Sequence, residues 1–418
     1  MRSRNRNLGV MRNRNWVAAI LIGLVAFTVY SLFAADFSLE RWGDPSLFHV
    51  SEGAYFNFLA DGFLHGQLHL RITPEKTHDL VHFNDRLFLY WPPFPAVLMV
   101  PFIAVFGLGF SDIFLTLVLA AVNVSMTLLL LRALRARGLI DLPDFHMWML
   151  VVAFAFGTVH LTMAPLGRVW FTAQIIGYLF IVIAYLAAIS LEDRKAFIVA
   201  GIGIAAAAMT RNHLVFLGLW PAWYLIHTNW QRGKRWLTAS ITCGLAPIVA
   251  AVTLLALYNY ARFGSITEMG LDLHQMARAF SSDYGLYGAF NMHYLPLNFH
   301  YQYLFYPFPL SAESAMGGSL FLLTPLFFGA LFAFRSRVGV SKLMLATSIL
   351  LTATPILLLM GTGWVQFGPR YTLDFTVPLL ILTALGITRW PRSIVVLLVL
   401  VSIVHYVLGT LFLSGILA

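Results

Sequence analysis

One cysteine in 418 residues, Cys243, leaves no disulfide framework and no thiolate metal site. Charge is nearly as scarce. Asp, Glu, Lys and Arg together make 11% of the chain, against about 25% in an ordinary globular domain. Too few charges remain to cover a solvated surface, which excludes a soluble fold. No solenoid-type repeat is present, and neither end carries a stretch that reads as an appended soluble domain. Hydrophobic residues, in contrast, reach 59%, and they gather in long runs.

A membrane-crossing helix needs about 20 apolar residues. Runs of that kind fall at 16–35, 112–133, 145–164, 170–190, 237–258, 317–334, 343–361, 371–388 and 393–413. Two shorter ones, 196–210 and 213–228, are separated by Thr210, Arg211, Asn212 and His213. The positive-inside rule decides between one long span and two short ones. With two, and with the N-terminus in the cytoplasm, inner segments hold 18 of the 27 Lys and Arg and only 4 of the 18 Asp and Glu. With one, the basic residues divide evenly and Arg211 is stranded in lipid. The expected architecture is therefore an all-α polytopic protein of about eleven spans with an outer C-terminus, residues 1–418 forming one transmembrane unit in the plasma (inner) membrane. The formal charge of +9 is then a set of short orienting loops, including the Arg-Asn run before the first span, and not a nucleic-acid surface. A cleaved signal peptide does not suit the first apolar run, which is too long for an h-region.

Outer loops are long where inner ones are short, and long loops usually carry function. The first spans 36–111 and the second large one 259–316. Within the first, 52–66 has helical apolar spacing through Tyr55, Phe56, Leu59 and Phe63. The segment 92–109, with Pro92, Pro93, Pro95 and Pro101, is too short to span and reads as a juxtamembrane or re-entrant helix. Polar residues collect at the outer helix ends: Arg168 and Trp170; Arg211 to His213; Asn259 to Arg262; Gln366 to Asp374. A charge at mid-bilayer costs about 2.5–3.5 kcal/mol on insertion scales, so placement at one shared depth suggests a common outer cavity.

The run Leu87-Phe88-Leu89-Tyr90-Trp91-Pro92-Pro93-Phe94-Pro95, followed by Pro101 and Phe106-Gly107, resembles a recurring segment of GT-C membrane glycosyltransferases such as protein O-mannosyltransferases and aminoarabinose transferases. Phe156-Gly157-Thr158, Ala207 to Arg211, Tyr258 to Ser265 and Phe367-Gly368-Pro369-Arg370-Tyr371 match in order. The resemblance implies a GT-C-like fold with juxtamembrane helices in the first outer loop. It further implies transfer of a sugar from a polyprenyl-phosphate carrier to a lipid, glycan or protein acceptor at the extracytoplasmic face. An acidic residue soon after the first helix is usual in such enzymes, and Glu52 stands there. Its customary Asp neighbour is replaced by Ser51, and the lysine expected before the two prolines by Trp91. The phosphate partner then has to be Lys76, Arg86 or a helix-end arginine.

This chemistry needs a carboxylate to take the acceptor's proton and cations to hold the phosphate as charge develops. Glu52 is the first candidate base; Asp44, in Gly43-Asp44-Pro45, is the second. Arg211 and Arg370 are the candidate phosphate ligands. Arg262 and Arg168 follow, with structural pairing to Asp374, Glu268 or Asp272 as their alternative role. Tyr55, Tyr90 and Trp91 are candidate surfaces for sugar or prenyl chain, and Tyr371 for packing beside Arg370. His65/His69 and His78/His82 have four-residue spacing that could bind metal on a helix. Pro74 between the pairs and the absence of an H-E-x-x-H pattern favour metal-independent transfer, with no cofactor. A flippase for lipid-linked substrates and a non-catalytic lipid-binding subunit are the competing readings.

Overall fold

The computed structural model describes residues 2–43, 49–274, 278–363 and 365–416. Among them, eight helical segments are long and apolar enough to cross a membrane. We label the principal helices α1 (Arg2–Ala34), α2 (Tyr55–Leu64), α3 (Phe94–Phe106), α4 (Asp112–Ala136), α5 (Asp144–Phe156), α6 (Arg168–Ser190), α7 (Asp193–Ala208), α8 (Leu219–Asn229), α9 (Lys234–Phe263), α10 (Val340–Leu358), α11 (Thr376–Ile387) and α12 (Arg392–Leu413). Helix α5 continues through a short turn to Met163, and Arg370–Phe375 forms a 3₁₀ lead into α11, which completes those two spans.

The other three runs expected to span form shorter or broken elements and are not among the eight. Helix α7 has 16 residues, about 24 Å at 1.5 Å per residue. After it, Arg211 is extended at φ −150°, and a 3₁₀ stretch Asn212–Gly218 leads into α8. The pair is thus two elements and not one helix with a charge inside. The run 317–334 breaks into Leu320–Leu323, Pro325–Phe328 and Gly329–Phe332. Pro325 cannot supply the N–H that a continuous helix would need there.

Helix α6 is buried almost throughout and packs against α4 and α7, while α1 packs on α4, α12 on α5 and α9 on α7. Helix α9 turns Leu245, Val249, Val252 and Leu254 outward, as a lipid-facing helix should. At the α7–α9 crossing a Cβ on Gly201 would lie 2.1 Å from the Gly244 carbonyl oxygen. Small residues allow that close backbone approach, a usual device in membrane helix packing.

The first long loop has its own small apolar core: Tyr55, Phe56 and Leu59 of α2 meet Leu80, Leu89, Trp91 and the α3 residues Met99 and Ile103. Both expected juxtamembrane helices form, with Val105 and Phe106 of α3 exposed. The all-α expectation meets one exception, a hairpin of β1 (Leu80–Phe83) and β2 (Arg86–Leu89) in antiparallel register Leu80↔Leu89. Its turn residues Asn84 and Asp85 both have positive φ, 49° and 58°, the backbone a two-residue hairpin turn requires. From the second long loop, Asn298 donates to the carbonyls of Leu357 and Leu359 at 2.9 and 2.7 Å, satisfying the end of α10.

Candidate functional site

A cavity of about 400 Å³ opens among these long loops and helix ends. Its walls include eight residues singled out from the sequence: Glu52, Tyr55, Tyr90, Trp91, Arg168, Arg211, Arg370 and Tyr371. Lys76 also lines it, whereas Arg86 does not. Asp44 lies outside the described residues.

The mouth is fastened by a buried carboxylate. Asp112, at the start of α4, accepts from the Ser51 backbone N–H at 2.8 Å, the Ser51 hydroxyl at 2.5 Å and the Arg168 backbone N–H at 2.9 Å. Val169 N–H adds a bond to the Gly53 carbonyl at 2.8 Å. Loop 51–53 is thereby pinned to the N-terminus of α6, which brings Glu52 and Arg168 to the same rim. Glu52 is 60% exposed and accepts from Lys76 Nζ at 2.5 Å. That bond and the lysine's charge, with Arg168 beyond, hold the Glu52 carboxyl below the usual carboxylate range.

Deeper in, Arg211 and Arg370 flank the ring of Tyr371, their guanidinium carbons 5.4 and 4.8 Å from its centre. Their electrostatic states differ. Arg211 is neutralised by buried Asp374, with Nε and Nη2 each 3.1 Å from Oδ2. His213 Nε2 meets the same oxygen at 2.8 Å, and Gln174 donates to Oδ1 at 3.2 Å. Arg370 is 8% exposed, its Nη2 donates to the Tyr371 hydroxyl at 3.2 Å, and its buried Nε has no partner. Among the described residues no carboxylate lies within ion-pair distance of it. Gly363, at φ +91°, passes directly over this arginine; a Cβ there would fall 2.8 Å from Arg370 Nε and 2.9 Å from the Tyr371 ring.

Arg262 does not join the site. Its guanidinium donates to the Leu89 carbonyl at 2.7 Å and to Asn259 Oδ1 at 2.8 Å, and it lies on the Tyr258 ring at 3.9 Å. It secures the end of β2 to α9 and lies outside the cavity lining. Asp374 likewise pairs with Arg211 and His213, not with Arg262 or Arg168. The aromatic wall is continuous: Trp91 stacks on Tyr90 at 3.8 Å, and Trp170 meets Tyr55 at 6.2 Å. Burial, with Asp79 and Glu52 nearby, pushes the Tyr55 hydroxyl up to about 12.

The sequence reading did not single out Asp79 or His274, both of which line the cavity. Of the histidines paired in the sequence, His65 bonds the Asp61 carbonyl at 2.8 Å, and the His69 ring packs on Phe88. Among the described residues no group of three His, Cys, Asp or Glu is arranged to hold a metal ion.

Apolar helices, loop helices and a cavity at the helix ends make this a polytopic membrane protein, and its fold is shared with a solved membrane enzyme. The apo structure of ArnT from Cupriavidus metallidurans, a GT-C glycosyltransferase, superposes with a TM-score of 0.51 at 15% identity, covering 91% of this chain and 61% of that one. The same protein bound to undecaprenyl phosphate gives a TM-score of 0.49 at 15% identity, covering 90% of this chain and 60% of that one. The chain thus spans about three fifths of its structural neighbour's length. No family model and no curated protein match the sequence.

Proposed function

We propose that the protein is a membrane glycosyltransferase that moves a sugar from a polyprenyl-phosphate carrier to an acceptor at the extracytoplasmic face. The observation that carries this reading is Arg370. A guanidinium buried without a carboxylate is costly, and here it faces a cavity among aromatic rings. The matching occupant is a phosphate, which arginine grips through paired hydrogen bonds. Arg211, already neutralised, orients Tyr371 and adds a donor; Arg168 and Lys76 supply charge at the rim. The apolar surroundings suit a prenyl chain, and Tyr90, Trp91 and Tyr55 offer faces for the sugar.

In the reaction the acceptor's oxygen or nitrogen forms a bond to the sugar's anomeric carbon. The bond from that carbon to the phosphate oxygen breaks, and its electron pair leaves with the phosphate, where the arginines stabilise it. A carboxylate takes the acceptor's proton. Two reach the cavity from the first outer loop: Glu52 at the rim and Asp79 within.

The test uses purified protein in lipid nanodiscs with radiolabelled polyprenyl-phosphate sugars. Arg370→Met should lose transfer and weaken binding of the unglycosylated polyprenyl phosphate by at least tenfold, while the fold persists. Unchanged binding of that lipid by Arg370→Met would sink the reading. Binding accompanied by lipid movement across vesicles, and no product, would make the protein a flippase.

A further inference from the structure

Three distant elements converge on one carboxylate inside the cavity. Asp79 precedes β1, with φ 64°, in the left-handed region. Its Oδ2 accepts from the Trp170 indole N–H at 2.8 Å, a group on the first turn of α6. Its Oδ1 stands 3.1 Å from His274 Nε2, which comes from the second large outer loop, and 3.5 Å from His78 Nε2. The Asp79 side chain is 17% exposed, against 60% for Glu52.

His274 is the unusual member. Its side chain is 2% exposed, its ring meets Tyr90 edge-on at 4.7 Å, and its backbone bridges Val81 on β1. Among the described residues neither ring nitrogen completes a well-aligned hydrogen bond; Nε2 approaches Asp79 off the straight line. An imidazole buried at that cost and pressed against a carboxylate is arranged to act on the carboxylate.

We propose that Asp79 is the proton acceptor of the transfer reaction, with His274 as the residue that positions it. This rests on the transferase reading above. The acceptor's O–H or N–H gives its proton to Asp79 as its heteroatom bonds the anomeric carbon. The carrier phosphate departs with the electron pair of the broken carbon–oxygen bond. On product release the proton leaves Asp79 for solvent past half-exposed His78. Glu52 serves less well in this arrangement, because Lys76 occupies its carboxylate and the pair stands open to water.

The groups facing Asp79 are His78 beside it, Trp170, His274, Tyr55 and Tyr90. Burial alone would raise its carboxyl. The His274 imidazole, neighbouring His78 and the Trp170 indole outweigh burial and hold it below the usual range. The base form therefore persists through neutral pH and is lost only as pH falls through that low value. Without His274, burial has less opposition and the loss begins at higher pH.

The experiment is the pH profile of transfer for the wild type, Asp79→Asn, Asp79→Glu, His274→Phe and Glu52→Gln, each checked for folding. Asp79→Asn should lose at least about a hundredfold in kcat, the scale of a general base, and Asp79→Glu should restore part of it. His274→Phe should move the acid limb of kcat/KM upward by about one pH unit or more, an effect that loose packing alone would not produce. Should Asp79→Asn fail to fold, the His274→Phe profile decides. Product formed by Asp79→Asn at the wild-type rate, or an acid limb unmoved in His274→Phe, overturns the assignment and leaves the transferase reading standing. No product from the wild type with any polyprenyl-phosphate sugar brings down both.

Discussion

Two arginines a few ångströms from one tyrosine ring should respond to mutation in opposite ways. Arg211 compensates a carboxylate that is almost wholly inaccessible. Its removal leaves Asp374 charged and buried, a loss of about 3–5 kcal/mol, only part of which His213 and Gln174 can offset. Arg211→Ala should therefore lower the thermal unfolding midpoint strongly, whether or not lipid is present. Arg370 has no such partner among the described residues, so Arg370→Met should unfold at nearly the wild-type temperature and, under the proposed function, show none of the stabilisation expected from added polyprenyl phosphate. Differential scanning fluorimetry with and without the lipid separates the two. Gly363→Ala belongs to the same scale: its φ of +91° and the 2.8 Å approach to Arg370 predict a cost of about 1 kcal/mol or more together with weakened lipid binding.

The arginines were legible in the sequence because charge at the end of an apolar run is conspicuous. Asp374 was visible only as a pairing partner, since nothing in a linear pattern says which arginine a carboxylate will meet. Asp79 was hidden for a different reason. It sits between two histidines in an irregular loop, and its importance comes from Trp170 and His274, both far along the chain.

Elements carry the next set of consequences. The rim depends chiefly on Asp112, which with the Val169 N–H bond to the Gly53 carbonyl holds loop 51–53 to α6. Asp112→Asn should cost about 1–3 kcal/mol and release Glu52 and Arg168 from their common rim. Limited proteolysis would register it as new cleavage near residue 51. Helix order and the 94–106 helix followed from apolar length and charge placement, and the 55–64 helix from its apolar spacing. The hairpin did not, because two four-residue strands are too short for an alternation to stand out. Its one available signal was the Asn84-Asp85 turn. The expected span 317–334 failed as a continuous helix at Pro325, a residue whose effect is local and was outweighed in the reading by overall hydropathy.

At the scale of the molecule, the orientation inferred from basic loops can be checked directly. In a Cys243→Ser background, which removes the one thiol of the chain, a cysteine at Lys76 should react with a membrane-impermeant maleimide added to intact cells, and one at Arg337 only after permeabilisation. The reverse pattern would invert the topology. Excess EDTA should leave transfer unchanged; activity lost and then restored by Mn²⁺ would establish a metal requirement. The cavity has walls from both ends of the sequence, Glu52 near one and Tyr371 near the other. During synthesis, then, the pocket cannot exist until the chain beyond Tyr371 has left the ribosome and entered the bilayer. Every earlier intermediate passes through a membrane containing lipid phosphates with no assembled site to capture them.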